Sequence, residues 1–481
     1  LWGTAANWSL LAVPTAVDGN VATFNAASPA CTVSGGTKVC NGISFSAYTN
    51  TITLTTGITI TGAITLGASM TFVGTGAFAT ASSATLTSNG KTFPNLLGTT
   101  GGMTLTLADN WTVGGFNPAG GTVVTVNGNT LYIAGNLTQN ASLAGTTAIE
   151  ITSTSTVSYT GSAYVANNLT FNAGASTITI SSLYKNGGTL LYTAGTLSWG
   201  TSTFSVTGTT TLTLGSQTPY NLTLFGTSTV TLSANLTITN LLTSTTSTNT
   251  LNGNTIYVNG LTVSGNLAGT TTIEMNNGTC SGAGTLANNL VFNATTFTVS
   301  GGVNKSGGTI TYTAGTPTVT GSTVTVSVDT TFNTNGMSWN NISPTGTRTI
   351  TINSLLTVTG TWTTVANTTF AGTSGFSIAT WTCTTAGVTV TFKNGVTYTS
   401  TTAVTMTGTN ASRVVFTSDH ATIKAIWTLN GGATQLMAYV NGTRIDSSLG
   451  QTIWSYGGTL TDTINWMLLT TPSSMSYGFV Y

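Results

Sequence analysis

The sequence predicts an all-β chain folded as an elongated single-chain parallel β-helix, or β-solenoid, with distinct N- and C-terminal capping regions. Three observations predict it: residue-by-residue alternation of apolar with Thr or Ser, turn dipeptides at short intervals, and internal repetition on two length scales.

The strands come first. Runs such as Thr51-Ile-Thr-Leu-Thr-Thr-Gly-Ile-Thr-Ile60 and Thr227-Ser-Thr-Val-Thr-Leu232 alternate strictly and are dominated by β-branched residues. That is the pattern of a pleated strand with one buried face, and helical periodicity is missing. Turns are marked by Asn127-Gly128, Gly187-Gly188, Asn252-Gly253 and Gly307-Gly308. With 40% hydrophobic residues and this alternation, the chain has the material for a core and is not read as disordered.

Repetition fixes the architecture. Asn127-Gly-Asn-Thr-Leu-Tyr-Ile133 recurs as Asn252-Gly-Asn-Thr-Ile-Tyr-Val258, and Leu143-Ala-Gly-Thr-Thr-Ala-Ile-Glu150 as Leu267-Ala-Gly-Thr-Thr-Thr-Ile-Glu274. Ala166-Asn-Asn-Leu169 recurs as Ala287-Asn-Asn-Leu290, and Lys185-Asn-Gly-Gly-Thr-Leu-Leu-Tyr-Thr-Ala-Gly-Thr196 as Lys305-Ser-Gly-Gly-Thr-Ile-Thr-Tyr-Thr-Ala-Gly-Thr316. The offset falls only from 125 (127 to 252) to 120 (185 to 305), so this is a duplication. A shorter unit, an Asn followed by two Thr-rich strands, starts at Asn41, Asn95, Asn168, Asn221, Asn289, Asn341 and Asn394, at spacings of 54, 73, 53, 68, 52 and 53 residues. Each unit corresponds to two or three coils of roughly 20 to 25 residues. One coil cannot bury its inward face; a stack makes a continuous core and pairs each backbone with the coils above and below. Residues 41–405 are expected to hold on the order of 15 to 18 coils, a rod of about 70 to 90 Å at ~4.8 Å per coil.

A stack must be closed at its ends against strand addition. Residues 1–40, with Trp2, Trp8, Pro14, Pro29, Cys31 and Cys40, and residues 406–481, with Arg413, Asp419, His420, Lys424, Arg444, Asp446 and Asp462, are read as caps. The alternative for the second is an interaction region whose contact surface is Trp427, Trp454 and Trp466.

Trp8-Ser9, Val13-Pro-Thr15, Phe24 and Cys40-Asn-Gly-Ile-Ser-Phe45 at one end, and Tyr439-Val-Asn-Gly-Thr-Arg-Ile-Asp-Ser-Ser448, Trp454, Gly457-Gly458 and Asn465-Trp466 at the other, carry a resemblance. On these residues the chain resembles Thr/Gly/Asn-rich β-solenoid surface or virion fibre proteins of phages and secreted bacterial or archaeal proteins. The resemblance implies fold and exposure. It assigns no functional residue.

Charge excludes several functions. The 481 residues carry nine Lys or Arg, eight Asp or Glu and one His, about 4% charged against roughly 25% in ordinary domains. A net charge of +1 supplies neither the basic stripe that nucleic acid requires nor a polybasic membrane anchor, and no stretch is long and apolar enough for a membrane span. A single His, no paired CxxC and no GxxxxGK[ST] exclude the usual zinc and phosphate motifs, and no cofactor is expected. Polysaccharide-degrading β-helix enzymes gather acidic residues on one face. Here Asp18, Asp109, Glu150, Glu274 and Asp329 are scattered; only Asp419, Asp446 and Asp462 share a region, with His420 and Arg444. The chain is expected not to be an enzyme.

Cys31 and Cys40 are spaced to bridge a loop as a structural disulfide; the other reading is that they, Cys280 and Cys383 are small buried residues. Glu150 and Glu274 occupy equivalent repeat positions, as do Lys185 and Lys305. They are expected on a solvated face, with a Glu–Lys ladder between neighbouring molecules as the sharper reading. Sequons at Asn7, Asn136, Asn168, Asn221, Asn235, Asn293, Asn367 and Asn441 would carry surface glycans in a secreted chain. A start at Leu1, without Met or a basic segment, is expected of a processed or trimmed chain.

The expectation is an extracellular structural protein at a cell or virion surface, a homo-oligomer or subunit of a self-assembling filament or fibre. The alternative is an adhesin or fibre binding a host receptor or glycan. Minor alternatives are a β-helix polysaccharide-degrading enzyme and an ice-binding protein using Thr-x-Thr arrays.

Overall fold

The computed structural model describes residue 15 and residues 19–120, 122–245 and 247–469. Among these there is no helix; strands of two to sixteen residues follow one another through short turns. The first coil shows how. Strands β1 (Val21–Thr23), β2 (Cys31–Val33) and β3 (Lys38–Cys40) lie on successive faces, and the chain returns to the first face as β4 (Gly42–Ser44). Strand β4 pairs in parallel with β1, Val21 opposite Gly42. Strand β5 (Thr51–Leu54) then lies on β2 with Ile52 opposite Cys31, and β6 (Ile58–Ile60) on β3 with Ile58 opposite Lys38. Each coil thus returns after about twenty residues, and the chain is a β-solenoid of about 22 turns.

The described residues fall into two compact units divided between Thr239 and Asn240. In the first, one inward column runs Ile149, Leu169, Leu190, Leu212 and Leu232, each opposite the next in register and all buried. In the second, the corresponding column is Ile256, Ile273, Leu290, Ile310, Phe332 and Ile352. Each such side chain contributes about 1.5–3 kcal/mol by leaving water. A register slip of one residue would turn a whole column outward, so the alternation also fixes the pairing.

Several of the recurring Asn residues are coil-to-coil caps. Oδ1 of Asn127, Asn168, Asn289, Asn341 and Asn441 accepts a hydrogen bond from the main-chain N–H of Thr146, Thr189, Thr309, Thr361 and Thr459, at 2.8 to 3.1 Å. At a corner the backbone leaves the ladder, and the Asn amide supplies the partner the next coil lacks there. Sequons at Asn168 and Asn441 therefore coincide with structural acceptors, as do those at Asn136 and Asn367, which accept from Thr156 and Thr389.

Trp2, Trp8, Pro14 and Asp18, and residues 470–481, lie outside the described residues. The described parts of the two expected caps are themselves coils. Strands β1 to β3 carry the pairing above, Val414–Ser418 lies in parallel on Thr389–Phe392, and Trp466–Leu469 lies in parallel on Ile453–Tyr456. Coils are longest between residues 389 and 443, where Tyr398 pairs with Trp427, twenty-nine residues on, and shorten again after it, Ile453 pairing with Trp466, thirteen on. The extra residues form the wide turns in which Arg413, Asp419, His420 and Lys424 sit.

Candidate functional site

The tryptophans expected to form a contact surface do not share one. Trp427 and Trp466 are inward and buried, and only Trp454 is exposed. Trp427 Nε1 donates to Ser400 Oγ at 3.1 Å and Trp466 Nε1 to Ser447 Oγ at 2.9 Å, so the polar edge of each indole is satisfied inside the core. Trp427 stands edge-on to Phe416 at 5.0 Å and lies 5.7 Å from Trp466, in an aromatic core continued by Trp381 and Phe392. Parity explains the difference: in Ala425-Ile-Trp-Thr-Leu429 the indole falls on the inward phase, whereas Trp454 follows the inward Ile453.

The expected disulfide is not formed. All four cysteines are free thiols; Cys31 lies on β2 and Cys40 on β3, which belong to separate sheets around the coil. Burial pushes the Cys40 thiol up to about 12.

The C-terminal acidic residues do not converge. Asp419 pairs with Lys393 at 2.9 Å and accepts from the Asn394 N–H at 2.7 Å. Asp446 caps the Ser448 N–H at 2.9 Å, and Asp462 pairs with Lys424. His420 Nδ1 accepts from the N–H groups of Thr422 and Ile423, both at 3.1 Å, and Arg444 reaches Thr417 Oγ1 at 3.4 Å. Each group has a local turn or pairing role. Among the described residues no three His, Cys, Asp or Glu side chains are gathered as a metal ion would require. No helix among them is long and apolar enough to cross a membrane. A shallow groove lined by Asn240, Leu241, Asn259, Gly260, Asn277 and Thr279 holds no charged group.

The unexpected feature is inside. Lys185 and Lys305, expected on a solvated face, are fully buried. Lys185 shares the inward phase of Leu183, and Lys305 that of Val303. Lys185 Nζ donates to the carbonyls of Val165 (3.2 Å), Ala166 (3.4 Å), Asn167 (2.7 Å) and Gly187. Lys305 Nζ donates to those of Leu286 (3.4 Å) and Asn288. At this corner the Ala166 and Asn167 carbonyls leave the ladder and the lysine supplies each with a donor, while the Val165 carbonyl also accepts from the Asn186 N–H at 2.9 Å. Gly188 makes room: its φ is +65°, and a Cβ there would stand 2.8 Å from the Ala166 carbonyl and 3.3 Å from Lys185 Nζ. Gly308 repeats this, at φ +63° and 2.7 Å from the Ala287 carbonyl.

Desolvation lowers both amines to about 7. Around Lys185 the four carbonyls oppose that loss, because an ammonium has three protons to give. Lys305 has only two carbonyls and lies near the thiol of Cys280, which burial pushes up to about 12. Below each lysine sits a buried amide. Asn167 Nδ2 donates to the carbonyls of Val126 (3.4 Å) and Thr147 (3.0 Å), and Asn288 Nδ2 to those of Leu251 (3.1 Å) and Thr271 (3.0 Å).

Outside, the paired glutamates face asparagine. Glu150 Oε1 accepts from Asn172 Nδ2 and Glu274 Oε1 from Asn293 Nδ2, both at 2.7 Å. A Glu–Lys ladder is therefore not available, since the lysines are inside.

These buried polar corners are scaffolding chemistry: the amines and amides meet the chain's own carbonyls. The chain matches no family model, no curated protein and no solved structure.

Proposed function

We propose that the chain is an extracellular structural protein, a subunit of a self-assembling filament or of a virion or cell-surface fibre. The observation that supports this reading most directly is the state of the coil edges. Among the described residues β1, β2 and β3 are paired on one side only, by β4, β5 and β6, and Trp466–Leu469 is paired on one side only, by Ile453–Tyr456. An open parallel edge is a template for a strand of another molecule. A net charge of +1 puts little repulsion in the way of that addition. The reading involves no catalytic step and no cofactor.

Negative-stain electron microscopy over a concentration series tests it. Filaments or regular bundles that grow with concentration support the proposal; isolated particles at every concentration overturn it.

A second reading, an adhesin that binds a receptor or glycan, rests on Trp454. Its register partner Met467 is also exposed, so an indole and a thioether lie side by side on the outer surface. An aromatic platform of that kind suits a sugar face or an apolar side chain.

A further inference from the structure

We propose that each duplicated corner binds one internal water molecule, held between a buried threonine hydroxyl and a buried asparagine carbonyl. The observation is a pair of orphan oxygens that occurs twice. Thr147 Oγ1 and Asn167 Oδ1 are buried and have no hydrogen-bond partner among protein groups, and the same holds for Thr271 Oγ1 and Asn288 Oδ1. Buried polar atoms in folded chains are almost always partnered, so a pair of oxygens without a protein partner that recurs at the same place in two copies points to a bound ligand.

The orientation of the amides is determined by their surroundings. In both copies Nδ2 faces two main-chain carbonyls. Flipping the amide would set oxygen against oxygen, so Oδ1 must face the other way and needs a donor. The lysine cannot supply it, because Nζ is directed at carbonyls.

Register places the threonine beside it. Ile149 is opposite Leu169 and Ile273 opposite Leu290, which puts Thr147 next to Asn167 and Thr271 next to Asn288, two residues earlier on adjacent coils. The two oxygens stand on adjacent coils and make no direct bond to each other or to any other protein group, so one water shared between them would supply the donor that Oδ1 needs and take the hydroxyl proton of the threonine. The water donates to Asn Oδ1 and accepts from Thr Oγ1–H. A metal cation is a poor occupant, because amide protons and the lysine amine adjoin the site.

The test is the paired isosteric substitution Thr147→Val and Thr271→Val in the full chain, with Thr→Ser at both positions as the control that keeps the hydroxyl. Oxygen-17 or deuterium magnetic relaxation dispersion counts long-lived internal waters. The expected result is a loss of two such waters in the valine variant and none in the serine variant, with Tm lower by about 2–4 °C per site. An unchanged count overturns the proposal, as does a rise in Tm, since removing a hydroxyl that truly lacks a partner stabilises the fold. If the valine variant does not fold, a high-resolution crystal structure of the unaltered chain decides. A density peak within hydrogen-bond distance of both oxygens upholds the proposal, and a dry gap ends it.

Discussion

Residues 127–196 and residues 252–316 repeat one pattern and build the same polar corner, yet they hold their lysines differently. In the first block four carbonyls surround Lys185 Nζ; in the second, two carbonyls meet Lys305 Nζ and the Cys280 thiol lies nearby. Val157, paired with Ile180, takes the place that Cys280, paired with Val299, takes in the second block. The amide, the glycine turn and the orphan oxygens are unchanged between the blocks. The corner geometry is therefore what the duplicated sequence holds constant, and the set of groups around the amine is what differs.

The sharpest way to break this comparison is to remove each amine in turn. Lys185→Met keeps the apolar stem and strips the lysine donor from four carbonyls, of which that of Val165 keeps the Asn186 N–H. It is expected to cost about 3–5 kcal/mol, and Lys305→Met about 1–3 kcal/mol, because fewer acceptors are left bare. Hydrogen exchange resolved over residues 163–190 and 285–310 reads each corner separately. Equal losses at the two corners would show that the number of carbonyls does not matter.

A smaller effect is the pH dependence. Burial lowers both amines from 10.5 to about 7 in the folded chain. Between those values the unfolded chain binds more protons, so stability rises with pH from about 7 toward 10, by at most about 1.4 kcal/mol per pH unit for each lysine, and is flat for these groups below 7. Both amines are lowered to the same value, so the slope is shared between them. Thermal melts at pH 7, 8.5 and 10 check this: Lys185→Met and Lys305→Met should each flatten the rise by a similar amount. A rise left unchanged by both variants would mean that neither amine loses its proton in the folded chain.

How much of this the sequence carried can be read from parity. The strands, the coil of about twenty residues and the duplication were legible because alternation and repetition are direct signatures of a stacked β coil. The buried lysines were not, because a charged residue in a polar surface block is ordinarily solvated. A signal was nonetheless present: Leu183-Tyr-Lys185 and Val303-Asn-Lys305 place each lysine in phase with an inward apolar residue, and Val165-Ala-Asn167 does the same for the amide. Composition drew Trp427 and Trp466 into a surface group, whereas the phase of Ala425-Ile-Trp427 pointed inward. The free Cys31 and Cys40 teach the same lesson, since closeness in sequence says little when a coil corner lies between two residues. The carbonyl cages could not be read at all, because they depend on which way corner carbonyls turn.

The smallest effect tests whether the blocks match outside as closely as inside. Glu150 and Glu274 each accept one hydrogen bond of 2.7 Å from the asparagine one coil on. These pairs lie at the surface, where water competes for both groups and an isolated contact stabilises little. Glu150→Ala and Glu274→Ala should each cost less than about 1 kcal/mol, with Glu150 the larger because its pair is the more buried. Denaturant midpoints of the two variants, alone and combined, measure this, and the double variant should equal the two singles added, since the sites share no partner. Non-additivity would mean that the two blocks are energetically linked, and the corners would then have to be treated as one cooperative system and not as two independent copies.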